Sequence, residues 1–365
     1  MALDRITLTR FRNHDASRLD GSARINLLFG ENGAGKTNVL EALSLFAPGR
    51  GLRRAPLADM AEGGTGGFAV SAGLDCGALG QAQDEPVMIG TGTSAEKPGR
   101  RLVQVNGADA SAVALGEWLA VGWLTPAMDR LFADSAGARR RYMDRLALAL
   151  DPVHARHAAR YEAALRERNR LLAGEEEPDP RWLDSLEGQL AEAGAALTLG
   201  RARLVERLSA ALTGLPQAPF ARPVLRYAPG GPYESEALAA ELKRSRARDR
   251  AARRTLAGPH RDELEVSMDG TGMPAASCST GEQKALLIAI TLAHAELAAA
   301  GRPGVLLLDE VAAHLDPVRR AALFERLRHG GAQAWLTGTE LAPFKVIEGE
   351  AAVWRVAGGT VERVS

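Results

Sequence analysis

The run Gly30-Glu31-Asn32-Gly33-Ala34-Gly35-Lys36-Thr37 fits the pattern G-x-x-x-x-G-K-[ST]. Glycines at these spacings let backbone N–H groups curl around phosphate oxygens. A helix opening near Lys36 aims its positive end at the same anion. Lys36 is then expected to reach the β- and γ-phosphates of ATP, and the Thr37 hydroxyl to ligate Mg²⁺. Asn38, next along, is grouped with the loop as nucleotide-binding. A glycine-rich turn without a ligand is the competing reading, and the complete motif in its strand-to-helix context weighs against it.

A second pair of groups lies far along the chain. Val305-Leu306-Leu307-Leu308 is an apolar run that ends in Asp309-Glu310. A buried strand delivers its C-terminal residues to the sheet edge, where α/β ligands sit. Asp309 is expected to hold Mg²⁺ with Thr37, and Glu310 to polarise the attacking water. Glu310 and Lys36 are therefore the expected catalytic residues. Alone, the two acids would pass as a solvated strand end. The long gap between the two motifs points to an ATPase domain split by an insertion.

The elements that must position these groups can be read from patterning. Ile25–Phe29 is a compact apolar run before Gly30, as in a buried strand. Ile6 and Leu8 alternate with polar residues, and so do Phe68, Val70 and Ala72. Leu102–Val105 runs into Asn106-Gly107, a hairpin signal, and Gly122–Leu124 is a further candidate strand. The first 130 residues thus predict strands around one helix. From about Ala138 the pattern turns helical, with Leu186, Leu190, Leu197, Leu204 and Leu208 on one stripe. Glu175-Glu176-Glu177 with Pro178 and Pro180 splits that stretch in two, and Pro216, Pro219 and Pro223 close it. Strand 262–268, an apolar helix 282–299, strand 305–308, helix 317–327, strand 333–336 and a hairpin at Gly358-Gly359 follow. The expected fold class is α/β: a discontinuous ATP-binding domain at 1–137 and 251–365, with a helical arm inserted at 138–250.

Composition excludes several classes. The chain has 365 residues, with 45 Lys plus Arg against 45 Asp plus Glu, so it is not uniformly basic. Cys76 and Cys278 stand far apart without metal-ligand spacing, so neither a disulfide framework nor a zinc site is expected. His154 and His157 alone do not make a metal site. Trp123 and Trp182 read as core or interface residues. Asp4, Arg5 and Arg10 interrupt the N-terminus, and the apolar run 285–293 falls short of the about 20 residues that span a bilayer. A cytoplasmic protein with no membrane partner is expected.

Charge is local instead. Residues 139–170 carry nine arginines against four acids, and residues 240–261 carry eight Lys or Arg against two acids. Arg139, Arg140, Arg141, Lys243, Arg244 and Arg246 are the candidate phosphate-backbone contacts to DNA. The first patch reads equally well as a helix face with internal pairs such as Glu167 with Arg170. The second has too few local acids to pair its cations, which favours DNA.

A loop before the apolar helix narrows the class. Cys278-Ser279-Thr280-Gly281-Glu282-Gln283 resembles the L-S-x-G-Q signature of ABC-type ATPases, with Cys278 in place of leucine and Glu282 in place of glutamine. Ser279 followed by Glu282 is also an ordinary helix cap, and both readings stand together. Ala313-His314-Leu315-Asp316 resembles the D-loop of that class. Phe11-Arg12-Asn13, Leu256-Ala257-Gly258-Pro259-His260-Arg261-Asp262, Arg139–Asp144 and Tyr161–Asn169 together resemble the RecF family of bacterial DNA replication and repair proteins, over about Ile6 to Thr339. Within that segment, His260 and Arg261 read equally as structural or as nucleotide-sensing. The resemblance implies an ABC-type, SMC-head-like fold with a short helical arm. It implies an ATP-dependent homodimer in which Ser279, Thr280, Gly281 and Glu282 reach the nucleotide of the other copy. It further implies binding to duplex DNA or duplex/single-strand junctions, weak ATP hydrolysis, partnership with RecO and RecR, and help in loading RecA at gaps. Two alternatives share the motifs: the motor subunit of a membrane transporter, and a non-hydrolysing ATP-switched scaffold for repair proteins.

Overall fold

A computed structural model describes residues 2–64, 66–75, 86–216, 218–312 and 315–365. Cys76, and Ala313 and His314 of the loop compared with a D-loop, lie outside the described residues. The chain begins with β1 (Leu3–Phe11), β2 (His14–Leu19), β3 (Ile25–Phe29), α1 (Lys36–Ser44), β4 (Ala69–Leu74), β5 (Val87–Ser94), β6 (Lys97–Val105), β7 (Ala108–Asp109), α2 (Ala112–Trp118) and β8 (Ala120–Leu124). Helices α3 (Ala136–Leu150), α4 (His154–Ala173) and α5 (Pro180–Thr213) follow. Next come β9 (Pro223–Ala228), α6 (Ser235–Arg244), α7 (Arg246–Ala251), β10 (Glu263–Met268) and α8 (Thr280–Ala298). The chain ends with β11 (Gly304–Leu308), α9 (Pro317–His329), β12 (Gln333–Gly338), β13 (Ala351–Ala357) and β14 (Thr360–Arg363). Among the described residues the early segment thus holds two α-helices rather than one.

These elements form two compact units: Met1–Asp129 with Pro216–Phe220 and Leu287–Ser365, and Arg130–Leu215 with Ala221–Leu286. The second unit runs wider than the expected 138–250 insertion. The reason is pairing: β9 and β10, with α6 and α7 between them in the chain, form an antiparallel pair, registered from Glu263↔Ala228 to Met268↔Pro223, that packs on α5 and α3.

The first unit holds two six-stranded sheets. One is antiparallel, in the order β2-β1-β4-β5-β6-β7. The other runs β14-β13-β3-β12-β11-β8, with β13, β3, β12, β11 and β8 parallel. Apolar α1 residues Val39, Leu40 and Leu43 share one buried cluster with Ile6, Leu8 and Phe11 of the first sheet and Leu28, Trp335 and Trp354 of the second. Strands buried on both faces need no alternation, which is why β3 and β11 read as continuous apolar runs.

In the second unit α5 is one 34-residue helix, started by Asp179, whose side chain accepts from Arg181 N, with Pro180 at its first position. Its leucine stripe is buried as expected, and Leu190 and Leu197 join Tyr161, Ala164, Leu238 and Leu242 in a second core. Arg168 is fully buried among charges. It donates to Glu187 Oε1 at 3.1 Å, to Asp249 Oδ2 and Thr255 Oγ1 at 2.8 Å each, and to the Leu242 carbonyl at 2.9 Å. Truncating one partner of such a cluster leaves charge buried without compensation. Arg168→Met should cost about 3–5 kcal/mol, read as a lower urea midpoint. A midpoint equal to that of the parent chain would show that packing alone holds these helices.

Candidate nucleotide site

Parallel pairing brings strand ends to one edge. Gly338 of β12 aligns with Phe29 of β3, and Leu308 of β11 aligns with Leu336 and Leu124. The residues that follow Phe29 and Leu308, which include the phosphate loop and Asp309-Glu310, therefore meet at the C-terminal edge of the sheet. Gly30, Gly33 and Gly35 take positive φ values of 152°, 82° and 115°. A Cβ on Gly30 would lie 2.1 Å from the Val356 carbonyl oxygen, so no larger residue fits there. The structure thus brings together Gly30, Glu31, Asn32, Gly33, Ala34, Gly35, Lys36, Thr37 and Asn38 as the expected strand–loop–helix.

Lys36 Nζ donates to the carbonyls of Gly30 at 2.6 Å and Glu31 at 2.9 Å. Burial pulls its ammonium below the usual range, while Glu310 and Asp309 oppose that shift. Thr37 Oγ1 donates to Asp309 Oδ1 at 2.9 Å. The same oxygen accepts from Thr337 Oγ1 at 2.8 Å, and Thr337 Oγ1 accepts from the Glu310 N–H at 2.8 Å. Glu310 sits at φ 51°, a left-handed conformation uncommon outside glycine and enriched at functional sites. The hydroxyl of Thr37 and the carboxylate of Asp309 are hard oxygen donors, the set that suits Mg²⁺. The sequence reading assigns Thr337 no role; a signal for it is its place at the end of a strand parallel to β11.

The F-R-N segment proves to be a clamp on α1. Arg12 binds the fully buried Glu41 in bidentate fashion, at 2.9 and 2.8 Å. Arg53 adds bonds to Glu41 at 2.7 Å and Asn38 at 2.6 Å. Asn13 donates to the Ala34 carbonyl at 3.1 Å and accepts from Asn38 at 2.7 Å. At the far end of α1, Arg101 donates to the carbonyls of Leu45, Ala47 and Gly49, and burial lowers its pKa to about 10.

In the second unit, Ser279 and Glu282 form a reciprocal cap on α8. Ser279 Oγ donates to Glu282 Oε2 at 2.7 Å and accepts from Glu282 N at 3.3 Å, while Ser279 N donates to Glu282 Oε2 at 2.8 Å. Ser279, Thr280 and Gly281 are exposed, and Cys278 is buried. The G-P-H-R-D segment is hydrogen-bonded within this unit. Arg201 ties the Pro259 carbonyl and Asp262, both at 2.7 Å, to Asp144. His260 accepts from Tyr161 Oη at 2.8 Å through Nδ1 and donates to the Thr255 carbonyl at 3.0 Å through Nε2. Burial keeps that imidazole below its usual range. His154 is buried against Asp144 at 2.9 Å, and Trp182 is exposed beneath Arg170.

The charge around 240–261 is partly met from outside the segment, because α5 supplies Asp184 and Glu187. Lys243 pairs with Asp184 at 3.1 Å, and Arg246 with Asp184 and Glu187 at 2.5 Å each. Arg244 pairs with Glu241. Arg139 is held by Glu263 at 2.7 Å, and Arg140 donates to the Asp262 carbonyl at 2.8 Å. Arg141 is exposed and lies outside these pairs. In the first patch, Glu167 does pair with Arg170, at 2.6 Å.

The model of the RecF/RecN/SMC N terminal domain family matches residues 2–350. A DNA replication and repair protein RecF of Mesorhizobium japonicum is 49% identical over 98% of this chain and 97% of its own length. Its counterpart in Brucella suis biovar 1 is 45% identical over 98% of this chain and 95% of its own length. Among solved structures, the recombination mediator protein RecF with ATP in the RecFOR pathway gives a TM-score of 0.85 at 24% identity, covering 100% of this chain and 98% of that one. An SMC head bound to the C-winged helix domain of ScpA gives 0.55 at 16% identity, covering 100% and 97%. The fold is that of an ABC-type, SMC-head-like ATPase domain with an inserted helical arm. No helix among the described residues is long and apolar enough to cross a membrane.

Thr337→Val keeps the shape of the side chain and removes the hydroxyl that binds both Asp309 and Glu310 N. Two buried groups lose a partner, so a loss of about 1–3 kcal/mol is expected in chemical denaturation. An unchanged midpoint would mean that water replaces the hydroxyl without cost.

Proposed function

This chain belongs to the RecF family of DNA replication and repair proteins, within the RecF/RecN/SMC N terminal domain family, and on that premise we propose that it is an ATP-gated DNA clamp of recombinational repair. The observation that carries the reading is the unbroken chain Thr37–Asp309–Thr337–Glu310 beside the phosphate loop. Lys36, anchored by two loop carbonyls, keeps a third ammonium hydrogen for a phosphate oxygen. Thr37 and Asp309 would hold Mg²⁺, which supplies charge neutralisation at the β- and γ-oxygens. Glu310, fixed in its left-handed conformation, accepts the proton of the attacking water. Turnover is slow and serves as a switch.

ATP closes a homodimer in this reading. Ser279, Thr280, Gly281 and Glu282 of each copy meet the γ-phosphate held by the other, at the N-terminus of α8. RecR and RecO are its partner proteins, and RecA loading at gapped DNA is its task. A pair on an exposed surface is worth about 0–1 kcal/mol, so DNA phosphate can compete for Arg244 and Lys243. Arg246, half-buried on the buried Glu187, is not released as easily. Arg141 needs no release. Family membership sets aside the transporter alternative. An ATP-switched scaffold without turnover differs from the clamp only in rate.

Fluorescence anisotropy of labelled duplex DNA, with and without ATP–Mg²⁺, tests the clamp. Lys36→Met should abolish ATP-stimulated DNA binding, whereas Glu310→Gln should retain it and lengthen the life of the ATP dimer in size exclusion. Equal DNA binding in every condition would overturn the ATP-gated reading. ATP binding without any hydrolysis, with or without DNA, would favour the scaffold.

A further inference from the structure

His14 is fully buried in the first unit, against the phosphate loop, and the nucleotide chemistry above gives it no part. Its two ring nitrogens meet oxygens on opposite sides. Nε2 stands 3.1 Å from the carbonyl of Gly35, the residue that precedes α1. Nδ1 stands 2.9 Å from Ser17 Oγ, which in turn donates to the Gly359 carbonyl at 3.0 Å. The packing is close: a Cβ on Gly35 would lie 2.8 Å from Nε2, and a Cβ on Gly359 would lie 1.8 Å from the Asn13 carbonyl oxygen. The Gly359 N–H donates to the Ala34 carbonyl at 3.2 Å. His14 therefore joins three pieces of chain: the turn between β1 and β2, the phosphate loop, and the C-terminal turn between β13 and β14.

The contacts from Gly35 to Gly359 fix how many hydrogens they need. A carbonyl only accepts, so the Gly35 contact requires Nε2–H. The Gly359 carbonyl takes the single hydroxyl hydrogen of Ser17, so the middle contact requires Nδ1–H as well. A neutral imidazole carries one N–H and leaves lone pairs facing each other at one of the three contacts, among buried groups. An imidazolium carries two and completes all three. Burial works the other way and pulls His14 below the usual histidine range, whereas the Gly35 and Gly359 carbonyls and the Glu62 carboxylate favour the charged form. Charged residues on the adjoining elements face elsewhere. Lys36 is held by the Gly30 and Glu31 carbonyls, Arg12 grips Glu41, and Asp15 is exposed. Residues 357–360 of the C-terminal turn carry no charge. Opposed influences of this kind leave the proton responsive to an added anion.

We propose that His14 is a positioning residue for nucleotide binding: it takes a proton from solvent as the loop receives phosphate, and the imidazolium then ties Gly35 to Ser17 and stiffens the loop around the anion. Phosphate held by the loop N–H groups adds negative charge beside Gly35, which favours the protonated ring. By linkage, the proton raises the affinity for phosphate by the same factor. The sign follows. Affinity does not depend on His14 above its nucleotide-bound pKa, rises as pH falls through that value, and levels off below the nucleotide-free value, which lies under the usual histidine range. The nucleotide dependence rests on the ATP-binding part of the proposed function, whereas the stiffening of the loop by the proton does not.

The test uses the full chain with two variants. His14→Gln can hydrogen-bond but does not titrate, and Ser17→Ala removes the contact that demands the second N–H. Without nucleotide, hydrogen exchange in segment 30–38, corrected for intrinsic rates, should slow in the parent chain as pH falls from about 8 to about 5.5 and stay level in His14→Gln. With ATP–Mg²⁺, calorimetry in buffers of different ionisation enthalpy should show proton uptake that is lost in His14→Gln and reduced in Ser17→Ala. ATP affinity of the parent chain should rise by about threefold or more between about pH 8 and pH 6, beyond the rise in His14→Gln, a comparison that cancels the titration of ATP itself. Equal pH dependence of exchange in the parent chain and His14→Gln overturns the proposal, as does equal proton uptake in the two. The nucleotide-free arm reads His14 whether or not ATP binds, so failure here is separable from failure of the ATP-gated reading.

Discussion

One carboxylate oxygen organises the nucleotide site. Asp309 Oδ1 accepts the hydroxyls of Thr37 and Thr337, so residues of two parallel strands, β11 and β12, and one helix converge on a single atom. This is possible only because β3, β12 and β11 run parallel and in register, which brings their C-terminal ends to one edge. Thr37 enters from α1, whose placement is fixed at both ends. Asn13 and Arg53 hold Asn38 near its start, Arg12 grips Glu41 further along, and Arg101 ties the carbonyls that follow its end. A hydroxyl–carboxylate bond needs placement within a few tenths of an ångström, and these clamps supply it. Glu310 inherits the same order, because the hydroxyl that binds Asp309 also accepts its N–H.

The second unit depends on charge in a different way. Arg168 and Arg201 are buried, and each gathers carboxylates and carbonyls from elements distant in sequence. Asp262 alone accepts from Arg201, Tyr227 and Gly230 N. Replacing such clusters by apolar side chains is often neutral or better for stability, so their presence is not explained by stability alone. They do fix geometry. Gly258, at φ 128°, lets the backbone pass Tyr161 Oη where a Cβ would lie 2.7 Å away.

Much of this was legible in the chain. The phosphate loop, the Asp309-Glu310 pair, the apolar strands and the split helical stretch are local signals, and local signals survive without tertiary knowledge. What was hidden is pairing across distance. Thr337 looks like any strand-end threonine until β12 is known to lie between β3 and β11. Lys243 and Arg246 look unpaired until α5 brings Asp184 and Glu187 to them. Strands β2, β5 and β9 went unread because their faces mix polar and small residues, as in His14–Leu19 and Val87–Ser94. The second unit takes in β10 because it pairs with β9, and register between distant strands leaves no mark on composition.

The substitutions in the signature-like loop acquire a physical meaning from the cap they form. One carboxylate oxygen of Glu282 accepts both the hydroxyl and the N–H of Ser279, and its charge strengthens both bonds beyond what a neutral amide oxygen would give. The cap is therefore tighter than a glutamine would make it. On the proposed reading, the same serine must turn its hydroxyl toward a phosphate held by another copy. It must then leave Glu282, and Glu282 must tolerate a nearby anion of its own sign. Both requirements lower the affinity of the loop for the second copy's nucleotide. The exposed dipole end of α8 offsets part of that cost. A closed dimer built on such a loop would be weakly held and readily reopened, as a switch requires, since its two states must lie within a few kcal/mol of one another.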